Sequence, residues 1–217
     1  DTSLTSGDGN FPLIFHELDA KQHKIIFEDD KITVKTIPLK HRIPCCGFIF
    51  NEKSKPRNIL KEMISKHKIS LEQIQKIKLG EDLIKDNGTI IKNEELTTAP
   101  VLPQSYAFCS DTQYNESIIS LISGVDLLYH EATFLSDLEK QAKKTAHSTA
   151  LQAATIAKKA SVKQLIIGHF SARYKNPGLL LDEAKTVFEN TVLAEEGKKY
   201  SPAPLPPEEG NTKAQAY

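Results

Sequence analysis

Short, β-branched apolar runs dominate the first fifty residues. Residues 24–28 (Lys-Ile-Ile-Phe-Glu) and 32–38 (Ile-Thr-Val-Lys-Thr-Ile-Pro) read as two strands parted by the turn pair Asp29-Asp30. Residues 46–51 (Cys-Gly-Phe-Ile-Phe-Asn) read as a third. The pattern then changes. Glu52-Lys53-Ser54-Lys55-Pro56-Arg57 is charged and broken by proline, and Leu60, Met63, Ile64 and His67 follow at helical spacing. A second lysine-rich helical pattern covers 69–79. With little apolar mass between 53 and 80, this stretch is expected to project from the core.

From residue 104 strands and helices alternate. Strands are predicted at 106–109, 125–129, 163–168 and 191–194, and helices at 116–123, 146–159 and 179–188. That alternation implies a layered α/β fold. The tail over 201–217 holds Pro202, Pro204, Pro206 and Pro207 and ends in polar residues, so it is expected to be disordered. No internal repeat is visible.

Composition changes this picture little. The chain has 217 residues, enough for one domain with a sizeable core. Lys plus Arg and Asp plus Glu both number 28, so a nucleic-acid partner would need a local basic patch. Cys45, Cys46 and Cys109 form no CxxC pair and no disulfide framework, which fits a reducing cytoplasm. No run of 18 apolar residues predicts a membrane span, and no signal peptide is seen. The chain opens at Asp1, with a turn-like segment leading into Phe11-Pro12-Leu13-Ile14-Phe15, and reads as truncated at its amino terminus.

The candidate chemistry lies at strand ends, where ligands of α/β sheets gather. His41 follows Ile37-Pro38-Leu39-Lys40, and Asp111 follows Phe108-Cys109-Ser110. His130 and Glu131 follow Leu127-Leu128-Tyr129. His169 leaves Leu165-Ile166-Ile167-Gly168, with Arg173 one turn on. His147 sits beside Ser148, a candidate helix cap. Singly, each has an ordinary reading: a packed histidine, a turn aspartate, a surface arginine. Together, two histidines and an aspartate at strand ends supply donors that Zn²⁺ prefers, and a carboxylate can bridge two metals.

The strings Ser110-Asp111-Thr112, His130-Glu131-Ala132-Thr133-Phe134, Ala146-His147-Ser148-Thr149 and His169-Phe170-Ser171-Ala172-Arg173-Tyr174 occur in that order. In this combination the chain resembles ribonuclease Z, of the metallo-β-lactamase superfamily. The segment from Pro38 through His41 to Phe48 resembles that family's third metal motif. The resemblance spans residues 11–197. It implies the second half of an αββα sandwich (residues 1–200) with an inserted arm over about 51–82. It also implies a zinc-dependent endoribonuclease that trims the 3′ end of precursor tRNA, homodimeric at full length and cytoplasmic.

Position by position, the resemblance makes His41 a ligand of the first zinc, Asp111 the bridging carboxylate and His169 a ligand of the second zinc. Glu131 and His147 become a catalytic carboxylate–imidazole pair near the scissile phosphate, and Arg173 lies near the site, helping to hold the loop or a substrate phosphate. Lys53, Lys55, Arg57, Lys61, Lys66, Lys68, Lys76 and Lys78 are expected to meet tRNA phosphates. The arm departs from the family where Ser70-Leu71-Glu72-Gln73 replaces a Gly-Pro turn. The family's His-x-His-x-Asp-His motif is absent here. The chain is therefore expected to hold two zincs incompletely or not at all, and to be inactive alone. The competing readings are another phosphodiesterase of the same fold and a non-catalytic RNA-binding fragment.

Overall fold

The computed structural model describes residues 14–201, so the expectations for residues 1–13 and for the tail beyond Ser201 lie outside the described residues. In chain order the elements are β1 (Ile25–Glu28), β2 (Ile32–Pro38), β3 (Cys46–Glu52), β4 (Asn58–Ile59), α1 (Lys61–His67), α2 (Leu71–Lys78), β5 (Leu83–Ile84), β6 (Ile90–Ile91), α3 (Asn93–Leu96) and β7 (Thr97–Thr98). They continue with β8 (Ser105–Cys109), β9 (Leu127–Glu131), α4 (Glu139–Thr145), α5 (Ala150–Lys159), β10 (Gln164–Gly168), α6 (Gly178–Lys185) and β11 (Thr191–Leu193).

Seven strands make one mixed sheet in the order β1-β2-β3-β8-β9-β10-β11. The first four pair antiparallel, and the last four run parallel. Period-two alternation sorts their side chains onto two faces. Ile49, Ala107, Leu128 and Leu165 lie in register on one face, with Cys109, His130 and Ile167 beside them. This face carries the core. Ala150, Ala153, Ala154, Ile156 and Ala157 of α5 and Leu180 and Ala184 of α6 are buried against it. The alanines let the helix approach closely. Burial drives the thiol of Cys109 up to about 12.

The opposite face is aromatic. Phe50 stacks on Tyr106 with ring centroids 5.9 Å apart, and Phe108 stacks on Tyr129 at 4.8 Å. Two glycines serve this sheet by having no Cβ. One at Gly47 would run into the backbone of Phe108, and one at Gly168 would run into the Tyr129 ring.

Residues 58–98 form an insertion with a separate small core of Ile69, Ile77, Leu83 and Leu96. It carries more apolar mass than residues 53–80 predict, because Leu83 and Leu96 come from beyond that stretch. Asn93 is its hub. The Asn93 amide donates to the carbonyls of Ile77 (2.6 Å) and Glu81 (2.8 Å), and its backbone N–H donates to Asp82 (2.8 Å). The neck is narrow: β4 pairs with β7, and Glu52 N–H donates to the Gln104 carbonyl at 2.9 Å.

Three local expectations differ from the structure. The helix predicted at 116–123 is one 3₁₀ turn, Glu116–Ile118, because Gly124 soon breaks it. The helix predicted from 146 begins at Ala150. Thr149, not Ser148, is its cap, in a capping box with Gln152. The helix α4 has no counterpart in the sequence reading, because Glu139-Lys140-Gln141-Ala142-Lys143-Lys144-Thr145 carries one buried residue, Ala142.

Candidate metal centre

The site forms where the tip of the β2–β3 hairpin meets the carboxyl ends of β8, β9 and β10. Backbone anchors hold the tip. Lys40 N–H donates to Thr112 Oγ1 at 3.2 Å, and Gln113 N–H donates to the Lys40 carbonyl at 2.8 Å. The Cys45 thiol donates to the Asp111 carbonyl at 3.3 Å. Asp111, Ala146 and His169 all have left-handed backbones, with φ of 57°, 59° and 58°. A non-glycine residue in that region costs about 1–2 kcal/mol, so the surrounding core must over-determine all three.

Glu131 is the fixed point. It is fully buried and accepts four donors: Thr112 N–H at 2.5 Å, Thr133 Oγ1 at 2.7 Å, Ser148 N–H at 3.0 Å and His147 Nδ1 at 3.0 Å. The His147 ring lies 5.0 Å from the His41 ring and 5.2 Å from the His169 ring. His169 Nε2 is 3.3 Å from Asp111 Oδ1. The sequence-selected residues His41, Asp111, Glu131, His147 and His169 are thus brought to one place.

The hydrogen bonds fix which ring nitrogens are free. His41 Nδ1 donates to the Ala146 carbonyl at 3.0 Å, which leaves Nε2 with a lone pair. The Thr133 hydroxyl has one proton and two acceptors within reach, the Glu131 carboxylate at 2.7 Å and the His169 carbonyl at 2.9 Å. It therefore accepts from His169 Nδ1 at 3.0 Å, and His169 Nε2 faces Asp111 as a lone pair. Ligand atoms of Asp111, Glu131, His147 and His169 lie within 4.8 Å of one another. Within that group the Glu131 oxygens and His147 Nδ1 are already engaged. The open donors in it are Asp111 Oδ1, His169 Nε2 and His147 Nε2; His41 stands outside that group, its ring 5.0 Å from the His147 ring. One oxygen and two imidazole donors, each ring held by its other nitrogen, fit a divalent metal with a formed outer shell.

The other selected residues lie elsewhere. The Arg173 guanidinium sits 5.0 Å over the Phe134 ring, and its Nε donates to Ser171 Oγ at 3.1 Å. Lys53 pairs with Glu28 at 2.7 Å and Lys76 with Glu72 at 2.9 Å. Arg57 Nε donates to Thr97 Oγ1 at 2.7 Å. Lys55 and Lys78 belong to the segment entering and forming the insertion, away from the imidazoles. His130 is fully buried on the core face. Its Nδ1 lies 2.8 Å from the Glu131 carbonyl and its Nε2 has no partner, and burial lowers its pKa. Thr112, Thr133 and Ser148 escaped the sequence reading. The spacing of Thr133, two residues after Glu131, is the signal that could have found it.

No family model matches the chain. The chain is 49% identical over 186 residues to the ribonuclease Z of Bacteroides fragilis, covering 86% of this chain and 61% of that protein. It is 48% identical over 191 residues to the ribonuclease Z of Parabacteroides distasonis, covering 88% and 63%. It thus spans about three fifths of the length of these curated relatives. Among solved structures, the metallo-β-lactamase-fold protein YhfI from Bacillus subtilis superposes with a TM-score of 0.52 at 19% identity, covering 81% of this chain and 51% of that one. That likeness places the fold among metallo-β-lactamase-fold proteins. By its 186 matched residues out of 217, the chain is a homologue of the ribonucleases Z.

Proposed function

We propose that this chain is part of a zinc-dependent endoribonuclease that removes the 3′ trailer from precursor tRNA. The observation that supports this most is the meeting of three imidazoles, His41, His147 and His169, with Asp111 at one cluster of strand ends. His41, Asp111 and His169 would hold the metal. When bound, such ions stabilise charge on the phosphate and lower the pKa of water. The chain's own residues do the rest. Glu131 fixes the His147 tautomer and balances the charge on the ring when Nε2 carries the proton destined for the leaving 3′ oxygen. Arg173, through its stack on Phe134, would steady the wall beside His147. The basic insertion, with Lys53, Lys55, Arg57, Lys76 and Lys78, would grip the tRNA away from the cut. A homodimer acting in the cytoplasm completes the reading.

The test compares cleavage of precursor tRNA with cleavage of a small phosphodiester, using the protein that carries this chain. Precursor tRNA is the expected substrate, and His147→Ala is expected to slow its cleavage by roughly 10²–10⁴-fold. Hydrolysis of the small diester with none of the tRNA would favour a general phosphodiesterase instead.

A second expectation concerns the metal. Asp111, His41, His147 and His169 between them fall short of two tetrahedral zinc sites. The 217-residue chain by itself is therefore expected to hold zinc weakly and to be inactive. Metal analysis after dialysis that finds two zincs retained per chain would overturn this.

A further inference from the structure

Two clefts flank the imidazoles, and they differ in charge. The larger, of about 550 Å³, lies on the His41 side and is lined by Lys21, Lys40 and Arg42, with no Asp or Glu among the described residues that line it. The smaller, of about 240 Å³, lies on the His147 side and is lined by Tyr114, Lys143 and Gln152, with Glu139 to offset the lysine. Gln113 lines both, so a strand crossing from one to the other passes His41 and His147.

We infer that the RNA runs in one fixed direction across the site, with its downstream, 5′-phosphate-bearing side in the Lys21–Lys40–Arg42 cleft and the nucleotide before the cut in the Tyr114–Lys143 cleft. This rests on the endoribonuclease reading above. Hydrolysis adds water across the P–O3′ bond: the water oxygen joins phosphorus and O3′ gains a proton. The upstream product ends in a neutral hydroxyl, and the downstream product ends in a 5′-phosphate. The proton comes from the His147 side, so the hydroxyl end belongs in the smaller cleft. There Glu139, which accepts from Gln152 Nε2 at 3.1 Å, balances the single lysine in net charge, while Tyr114 presents an aromatic ring and Gln113 an amide suited to a base and ribose. The phosphate end falls toward three cations with no opposing carboxylate in their cleft. Lys40 is also rigidly placed, since its backbone is bonded at both N–H and carbonyl to the 112–113 turn.

The test uses two 3′-fluorescein hexaribonucleotides, one with a 5′-phosphate and one with a 5′-hydroxyl. Their binding to the chain is followed by anisotropy at low salt with a chelator present, so that metal contributes nothing. The phosphorylated oligomer is expected to bind about tenfold tighter, the scale of a charge-assisted contact. Lys40→Ala/Arg42→Ala should abolish that preference and Lys143→Ala should leave it intact. Lys40, Arg42 and Lys143 are exposed, and circular dichroism checks that the variants fold. Equal binding of the two oligomers, or a preference that survives Lys40→Ala/Arg42→Ala, overturns the direction while leaving the endoribonuclease reading in place. Binding of neither oligomer overturns the direction as well, and the precursor-tRNA assay decides the endoribonuclease reading separately.

Discussion

Glu131→Ala is expected to cost at least about 4 kcal/mol of stability, because the change leaves several buried donors without an acceptor at about 1–3 kcal/mol each. They are the backbone N–H groups of Thr112 and Ser148 and His147 Nδ1, while the Thr133 hydroxyl falls back on the His169 carbonyl. All four groups come from the ends of β8 and β9, and from the turn before α5, so one carboxylate ties together segments whose ligands must converge. For a domain of this size each kcal/mol shifts the melting temperature by roughly 2–4 °C, and the variant should melt at least about 8 °C lower. Glu131→Gln keeps the shape but turns an NH₂ toward a donor, so about half the loss is expected. The loss also has a functional signature. His147 and His169 both lose their orienting partner, His169 through Thr133, so metal affinity should fall further than in a variant of equal stability made in the distant core. Thermal melting by circular dichroism decides the first point, and a melt within about 2 °C of the parent protein would show that Glu131 is not the tie described here.

Gly47→Ala ranks second. A methyl group there meets the Phe108 carbonyl, an atom of a paired backbone that cannot rotate away. The strands must part or shift where Phe48 faces Phe108, at the level of the sheet that ends in Asp111. Overpacking of this kind costs about 1–3 kcal/mol and sometimes more, and the backbone nature of the contact places Gly47→Ala at or above the top of that range. Gly168→Ala is the control, since its added methyl meets a side chain, the Tyr129 ring, which has some freedom to tilt. Gly168→Ala should therefore be the milder of the two in a denaturant melt. The reverse order would mean that the Tyr129 ring is held more firmly than the backbone of β8.

Much of the candidate site was legible in the sequence because three of its residues, His41, Asp111 and His169, each follow an apolar strand run. Ile37 through His41, Phe108 through Asp111 and Leu165 through His169 carry their strand signal and their donor together. What escaped was the material that works through geometry. Nothing in the string Ala146-His147-Ser148-Thr149 says that the Ala146 carbonyl will fix a histidine 105 residues away, yet it does. Ser148 has ordinary cap chemistry, and only the competing spacing of Thr149 and Gln152 reveals that its hydroxyl is free to bond Thr112 instead. The fold shows the same division. The main-sheet strands were visible, since burial on one or both faces leaves a strong β-branched imprint. The pairings β4–β7 and β5–β6 were not, because two-residue strands carry no periodicity. The helix α4 was hidden by lysines on its outer side.

The separate small core of residues 58–98 has a mechanical consequence. Its apolar residues touch one another, and among the described residues it leaves the main sheet through a neck where Glu52 N–H donates to the Gln104 carbonyl and Lys53 N–H to the Lys31 carbonyl. Motion of the insertion about that hinge exposes little of either core, so it should occur at low free-energy cost and without loosening the imidazoles. Reach and chemical precision are thereby decoupled: the outlying lobe can follow a bulky partner through a range of orientations while the strand ends keep their spacing.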